Sequence, residues 1–476
     1  MSDPSIWFVT PEAQPLAKTG GLGDVCGALP GELNKLGADV SVVLPWYSSI
    51  RGKKIDHIMV EVGDALRAVA VGKTNIGETT VYLLGYPPHF HRKELYGEGG
   101  EAYPDNDRRF TLFSRAALTW ARRTSPPDIF HCHDWFTALI PLYLKADPDL
   151  PNRPSVFTIH NLQYQGVFPP ESFGRTGLDW KYFQPEGVEY YGQFNFMKAG
   201  LNYADRLTTV SETYSEEIQT PEYGEGLAGV LRKRSSDLTG IVNGIDTEVW
   251  NPETDSFFRE EEQYSAEDLS GKKQLRENML NNYNLDPGAD GPLFGIVSRL
   301  VDQKGIDLLL EVSEELMQLP GAWIILGTGD SELEKALKQW EYRFPERVHV
   351  ALKYDESLAH RITGAADIYC MPSRFEPCGL NQLYSLRYGT VPVVRSTGGL
   401  ADTIVDPGES EKDSSPTGFV FSSPKPDSLL KCIKRAAMVY KKDRKLFSRL
   451  QQNGMDRNFS WQSSAKKYLK LYQELI

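Results

Sequence analysis

Short apolar runs, each ending in polar residues and handing over to a helical pattern, recur along this chain and restrict it to an α/β fold with parallel sheets. Ser5–Thr10 reads as a strand, followed by a glycine-rich loop and a helical pattern through Leu36. Asp39–Leu44, Asp128–His131 and Ser155–His160 are further short strands. A helix is expected over Ser265–Asn284, then a strong loop signal at Asp286-Pro287-Gly288-Ala289-Asp290-Gly291-Pro292. The pattern then resumes. Strands are expected over Leu293–Ser298, Ala322–Leu326, Val348–Leu352, Asp367–Met371 and Val391–Val394, with helices over Gly305–Leu319 and Glu332–Trp340. The two stretches are not a tandem repeat, so they read as two α/β units, which 476 residues can supply. The polar stretch Ser410–Pro416 is expected to be an exposed loop.

Ligands of open α/β sheets sit beyond the carboxyl ends of the strands. The segments that follow the strands are therefore the candidates for chemistry. Lys18-Thr19-Gly20-Gly21-Leu22-Gly23-Asp24 follows the first strand and opens a helix. Its glycines let backbone approach a ligand, and free helix N–H groups favour anions, although a plain tight turn explains the same residues. Arg299 and Lys304 lie on the loop after the first strand of the second unit, where a fork and a point charge suit a diphosphate. The alternative there is a solvated basic pair. Pro372-Ser373-Arg374-Phe375-Glu376-Pro377-Cys378-Gly379-Leu380 places a carboxylate beside open amides. The Gly379 and Leu380 amides suit phosphate and Glu376 suits sugar hydroxyls, unless Glu376 merely caps a helix.

His131-Cys132-His133-Asp134-Trp135 puts two imidazoles on one strand face and Asp134 could add an oxygen, but nothing fixes a third metal ligand in space. Asp134 with Trp135 also suits sugar, carboxylate to hydroxyls and indole to the apolar ring face. His160-Asn161 ends the next strand. The Asp105-Asn106-Asp107 triplet follows Pro104 rather than an apolar strand, so it reads as a solvated loop, not a metal site.

A net charge of −12 argues against a nucleic-acid partner. No run of 18 apolar residues exists, so no membrane span is expected. The five cysteines, Cys26, Cys132, Cys370, Cys378 and Cys432, lack paired spacing and read as free thiols in a reducing compartment. No signal or transit segment is expected, which implies the cytoplasm, or a plastid stroma if this is the mature part of a plant or algal enzyme.

Together these segments resemble the glycosyltransferase family of bacterial glycogen synthases and plant starch synthases. Lys18–Asp24 is similar to its K-x-G-G-L-x-D signature. Arg374–Leu380 and Thr397-Gly398-Gly399-Leu400-Ala401-Asp402-Thr403 resemble its second-domain signatures. His131–Trp135, His160-Asn161, Asn243-Gly244-Ile245-Asp246, Trp250-Asn251-Pro252 and Tyr103-Pro104-Asp105-Asn106 match as well, in the family's order.

The resemblance implies a GT-B fold, two Rossmann-like domains with parallel sheets facing across a deep cleft. It implies an N-terminal, acceptor-side domain over 1–245, completed by a crossing helix in 460–476, and a nucleotide-sugar domain over 246–459. Residue by residue, Lys18, Gly20 and Gly21 would meet the sugar diphosphate, and Arg299 and Lys304 would neutralise it. Glu376 would hold glucose hydroxyls, with Cys378 beside it, and the Gly379 and Leu380 amides would bind phosphate. His160 would lie beside the transferred glucose with Asn243 nearby. Asp134 and Trp135 would meet donor glucose and acceptor, and Tyr354 would stack on the base.

The reaction implied is transfer of glucose from ADP-glucose, with UDP-glucose the alternative, to the nonreducing 4-hydroxyl of an α-1,4-glucan or maltooligosaccharide, with retention. No metal or other cofactor is expected. A nicotinamide dehydrogenase fits less well, because the first loop reads K-T-G-G-L-G and no acidic residue closes a second strand. A degenerate glucan-binding protein on the same fold would not need Lys18, Arg299, Lys304 and Glu376, all of which are present.

Overall fold

The structure is a computed structural model that describes residues 4–63, 65–146, 148, 153–408 and 415–476. It divides into two compact units, residues 1–244 with 461–476, and residues 245–460.

The first unit is built on a nine-stranded sheet. Its strands are β1 (Ser5–Val9), β2 (Asp39–Pro45), β3 (Lys53–Val62), β4 (Ala65–Ile76), β5 (Thr79–Gly85), β6 (Ile129–His133), β7 (Ser155–Ile159), β8 (Arg206–Thr209) and β9 (Leu238–Gly240). They run in the order β9-β8-β7-β6-β1-β2-β5-β4-β3. Seven are parallel, and β4 and β3 add an antiparallel edge. That edge was not foreseen. Its strands are half exposed and charged, and only alternate residues such as Ile58 and Val60 are buried.

β6 extends two residues beyond the expected Asp128–His131. It is flanked by β1 and β7, so both histidines are buried in mid-sheet although their polarity suggests a strand end. The helix Trp461–Gln473 belongs to this unit and buries Trp461, Ala465, Tyr468 and Tyr472. Its Ser464 hydroxyl donates to the Val242 carbonyl at 2.7 Å.

The second unit carries a six-stranded parallel sheet of β10 (Leu293–Val297), β11 (Ala322–Leu326), β12 (Val348–Ala351), β13 (Ile368–Met371), β14 (Val391–Arg395) and β15 (Phe419–Phe421). The order β12-β11-β10-β13-β14-β15 reverses direction between β10 and β13, which is the doubly wound arrangement whose reversal point receives ligands. Phe294 and Trp323 stack at 4.2 Å within its core.

The single helix expected over Gly305–Leu319 is instead two, Ile306–Glu311 and Ser313–Leu316. Gly305 precedes them at φ 64°, where a Cβ would meet the Pro372 carbonyl oxygen at 2.1 Å, so the loop and not a helical turn sets the start. The helix expected over Ser265–Asn284 covers Ser270–Asn282. Of the expected loop 410–416, positions 410–414 lie outside the described residues. No helix among the described residues is long and apolar enough to cross a membrane.

Candidate functional site

In the first unit the sheet order reverses at β1, which pairs with β2 on one side and β6 on the other. The glycine-rich loop leaves from this point, and Glu12 anchors it. The Glu12 carboxylate is buried and accepts the Thr19 N–H at 2.6 Å, the Thr19 hydroxyl at 2.7 Å, the Gly20 N–H at 3.2 Å and the Tyr96 hydroxyl at 2.6 Å. The helix Gly21–Lys35 starts immediately after, and its first internal bond runs from Gly23 to Gly20 at 3.1 Å. Thus Gly20, expected to meet a diphosphate, already spends its amide on Glu12. The Gly21 amide stands ahead of the first helical bond. Lys18 donates to Asp24 at 2.6 Å and to Gln14 at 2.9 Å.

The carboxyl ends of β6 and β7 carry a column of imidazoles. The rings of His131 and His133 lie 4.2 Å apart, and those of His133 and His160 lie 5.3 Å apart. His131 is fully engaged, Nδ1 with the Tyr472 hydroxyl at 2.7 Å and Nε2 with the Thr158 hydroxyl at 2.6 Å. His133 Nδ1 faces His160 Nε2 at 3.1 Å. Burial pulls His160 down to about 3 and holds His131 and His133 well below the usual imidazole range, so all three are neutral at pH 7.

Asp134 follows at φ 54° and ψ −178°, a sparsely populated conformation that costs about 1–3 kcal/mol and is concentrated at functional positions. Its carboxylate accepts the His160 N–H at 2.8 Å, yet burial pushes its carboxyl up to about 7. Trp135 is buried against Phe110 and Phe196. Asn243 is buried just past β9, and its Oδ1 has no hydrogen-bond partner.

In the second unit the loops after β10 and β13 meet at the reversal point. The Lys304 ammonium donates to the Glu376 carboxylate at 2.6 Å, and the Ser373 hydroxyl donates to the same oxygen at 3.0 Å. Both charges are largely buried, with side-chain exposures of 18% and 7%, so the pair is held where water screens it poorly. Two bonds lock the loops together: the Arg374 backbone N–H donates to the Gln303 carbonyl at 2.8 Å, and the Gln303 side-chain Nε2 donates to the Phe375 carbonyl at 3.2 Å. The capping alternative for Glu376 does not hold, since its Oε2 bonds Lys304 and Ser373 and the helix Asn381–Arg387 has no side-chain cap bond.

The Gly379 and Leu380 amides precede that helix's first internal bond, Tyr384 to Leu380. The Thr397–Thr403 segment packs on the same loop so closely that a Cβ on Gly398 would meet the Glu376 carbonyl oxygen at 2.0 Å, and one on Gly399 the Cys378 carbonyl oxygen at 2.0 Å.

The structure also separates some expected partners. Arg299 is exposed and, among the described residues, bonds through its side chain to Gln303 at 3.5 Å, whereas Lys304 is held on Glu376, so the two are not one solvated basic pair. Tyr354 is 86% exposed beyond β12. Cys378 is buried.

The Asp105-Asn106-Asp107 triplet is not a solvated loop. Asn106 and Asp107 open the helix Asn106–Arg123, Asp105 pairs with Arg92 at 2.6 Å, and Asp107 pairs with Arg175 at 2.6 Å. Among the described residues no group of three or more His, Cys, Asp or Glu is placed to hold a metal. Glu12, Tyr96 and the Ser373 hydroxyl were missed as site residues. A lone acid just past a strand end and just before a glycine loop is the signal that marks Glu12.

Residues 5–233 match the starch synthase catalytic domain family, and residues 284–455 match the family of glycosyl transferases group 1. The chain is 45% identical to glycogen synthase 2 of Nitrosococcus oceani, across 99% of this chain and 97% of that one. It is 44% identical to glycogen synthase 1 of Methylococcus capsulatus, across 99% and 96%. Its structure is similar to the catalytic domain of starch synthase IV from Arabidopsis thaliana, solved bound to ADP and acarbose. The TM-score is 0.91 at 34% identity, covering 100% of this chain and 99% of the other. A sucrose-phosphate synthase from Thermosynechococcus elongatus, 16% identical with a TM-score of 0.61, shares the fold.

Proposed function

The chain belongs to the glycosyltransferase family of bacterial glycogen synthases and plant starch synthases and has their GT-B fold, and from that premise we propose that it moves glucose from ADP-glucose to the nonreducing 4-hydroxyl of an α-1,4-glucan with retention. The observation that carries the reading is the buried Lys304–Glu376 pair at the reversal point of the second sheet. Departure of a nucleotide diphosphate develops negative charge. An ammonium fixed 2.6 Å from a carboxylate is already desolvated and oriented, so it loses little on meeting that charge. Glu376 holds Lys304 in place and offers its second oxygen to glucose hydroxyls. Arg299 and the Gly379 and Leu380 amides add donors to phosphate, and exposed Tyr354 offers a face to the base.

In the first unit, Lys18 and the Gly21 amide serve the diphosphate, and the Gly20 amide serves it through the loop that Glu12 holds. His160, Asp134, Trp135 and Asn243 serve the sugars. With cationic and amide donors at the leaving group, we infer that no divalent metal takes part. We place this activity in the cytoplasm, or in a plastid stroma if the chain comes from a plastid-bearing cell.

The test supplies radiolabelled ADP-glucose or UDP-glucose with and without a maltooligosaccharide primer. Label entering a longer α-1,4-glucan, with higher kcat/KM for ADP-glucose, is expected. Higher efficiency with UDP-glucose overturns the donor assignment. Release of free glucose without chain growth overturns the transferase reading.

A further inference from the structure

Two histidines of one strand have opposite fates. His131 has partners on both ring nitrogens. Among the described residues His133 uses only its ring Nδ1, toward His160 Nε2 at 3.1 Å, and its buried Nε2 has no hydrogen-bond partner. Two neutral imidazoles in contact must share one proton on that line, so either His133 or His160 is the donor. If His160 Nε2–H donated, the His133 proton would sit on Nε2 as a buried N–H with no acceptor. Orphaned buried N–H groups are rarer than orphaned acceptors, because an unpaired donor loses its full hydration. The arrangement without that orphan puts the proton on His133 Nδ1, donating to His160 Nε2. Neutral His160 then carries its own proton on Nδ1. No hydrogen bond to His160 Nδ1 is present among the described residues, and the side chain is only partly buried.

We propose that His133 is a positioning residue that fixes His160 as the Nδ1–H tautomer, so that His160 meets a sugar hydroxyl oxygen as a hydrogen-bond donor and not as a base. The orienting contacts are complete: the backbone N–H of His160 is held by Asp134 at 2.8 Å, its Nε2 by His133, and His133 in turn stacks on His131 and Phe8. The role of His160 at the sugar rests on the proposed function; the tautomer does not.

The test is long-range proton–nitrogen correlation on the full chain labelled with nitrogen-15 in histidine, with the His160 signals assigned by their loss in His160→Gln. A protonated Nδ1 and a bare Nε2 on His160 are expected in the wild type. A protonated Nε2 overturns the proposal without any activity measurement.

Two variants test the function. His133→Phe keeps a ring in the column and removes the donor, so kcat should fall about ten- to a hundredfold with KM and the unfolding midpoint little changed. His133→Asn returns an amide donor near the Nδ1 position and should restore most of the rate and the tautomer. A wild-type kcat in His133→Phe, or equal losses in His133→Phe and His133→Asn, overturns the positioning role. If the wild-type tautomer is as expected but His160→Ala keeps full kcat, the reading of His160 at the sugar fails while the tautomer assignment stands.

Discussion

At the carboxyl ends of β6 and β7 the first unit gathers three imidazoles held below their usual range and a carboxyl pushed up to about 7. At the equivalent point of its own sheet the second unit gathers opposite charges, an ammonium and a carboxylate 2.6 Å apart. The topology that presents these residues is shared, so the difference lies in pairing. In the first unit desolvation meets no counter-charge, and the groups neutralise. In the second each group has an opposite partner at hydrogen-bond distance. A neutral, hydrogen-bonding site suits uncharged sugar, and a charged one suits a departing diphosphate.

The comparison breaks most visibly at the ion pair. Removing one partner of a buried pair strands the other and costs about 3–5 kcal/mol, while replacing both by apolar residues is often neutral. Glu376→Ala and Lys304→Gln should therefore each lower the unfolding midpoint of the second unit and cut kcat by roughly a hundred- to a thousandfold. The double variant Lys304→Met with Glu376→Met should recover the midpoint and leave the rate low. If the double variant recovers the rate too, the pair is structural and the diphosphate is stabilised elsewhere.

Arg299 sharpens the same contrast because it carries charge without burial. Among the described residues its side chain bonds to Gln303 at 3.5 Å, so Arg299→Ala should leave the melting temperature unchanged. If it meets the diphosphate in a water-poor site, kcat falls roughly a hundredfold. A loss under about threefold places it among ordinary surface cations. Thorough EDTA treatment should leave wild-type activity intact, and restoration by magnesium or manganese after its loss would refute the basic-clamp reading.

The first unit should show a pH signature of its own. Below about pH 6.5 the unfolded chain protonates His131, His133 and His160, while the folded chain does not until far lower pH, so this cluster loses stability on acidification. Asp134 acts in the other sense. Its folded carboxyl, at about 7, binds a proton between about pH 7 and 4 that the unfolded carboxyl does not, so it gains stability as pH falls. Three losses against one gain leave acid the destabilising direction, with about two protons taken up by the cluster on unfolding. Asp134→Asn removes the gain, and the acid slope of the unfolding free energy should steepen toward about three protons. An unchanged slope would mean that the folded Asp134 takes up no proton between about pH 7 and 4, so its carboxyl is not raised.

What was legible beforehand follows the same physics. Parallel strands buried on both faces read as apolar runs, so β10 to β14 were located to within a residue or two at each end. The edge strands β3 and β4 were not, because exposed strands carrying Lys, Asp, His, Glu and Arg give little apolar signal. At the site, Lys304 and Glu376 were visible as residues after strands, but their pairing spans 72 positions and depends on two loops docking. Glu12 carried a local signal, an acid between a strand end and a glycine loop, but its bond to the Tyr96 hydroxyl spans 84 positions and depends on the fold. His133 was hidden inside a strand whose polar residues suggested that it had already ended.

The smallest effect concerns Tyr354, which belongs to the charged unit but carries no charge and has 86% of its surface exposed. It lies between β12 and the helix Glu356–Ala365, whose start is capped by Asp355 accepting from Leu358 at 2.9 Å. The cap fixes the backbone there without help from the tyrosine, so Tyr354→Ala should leave the melting temperature unchanged. Stacking of a base on an aromatic ring is worth about 1–3 kcal/mol and is present equally before and during the chemical step. It should therefore appear as a roughly tenfold rise in the donor KM with kcat preserved, whereas the ion-pair variants lower kcat. Tyr354→Phe keeps the ring and should keep the wild-type KM. If Tyr354→Ala lowers kcat with KM unchanged, the residue acts in the transition state, and the division between a binding ring and a catalytic ion pair in the second unit fails. If neither constant moves, the base lies elsewhere.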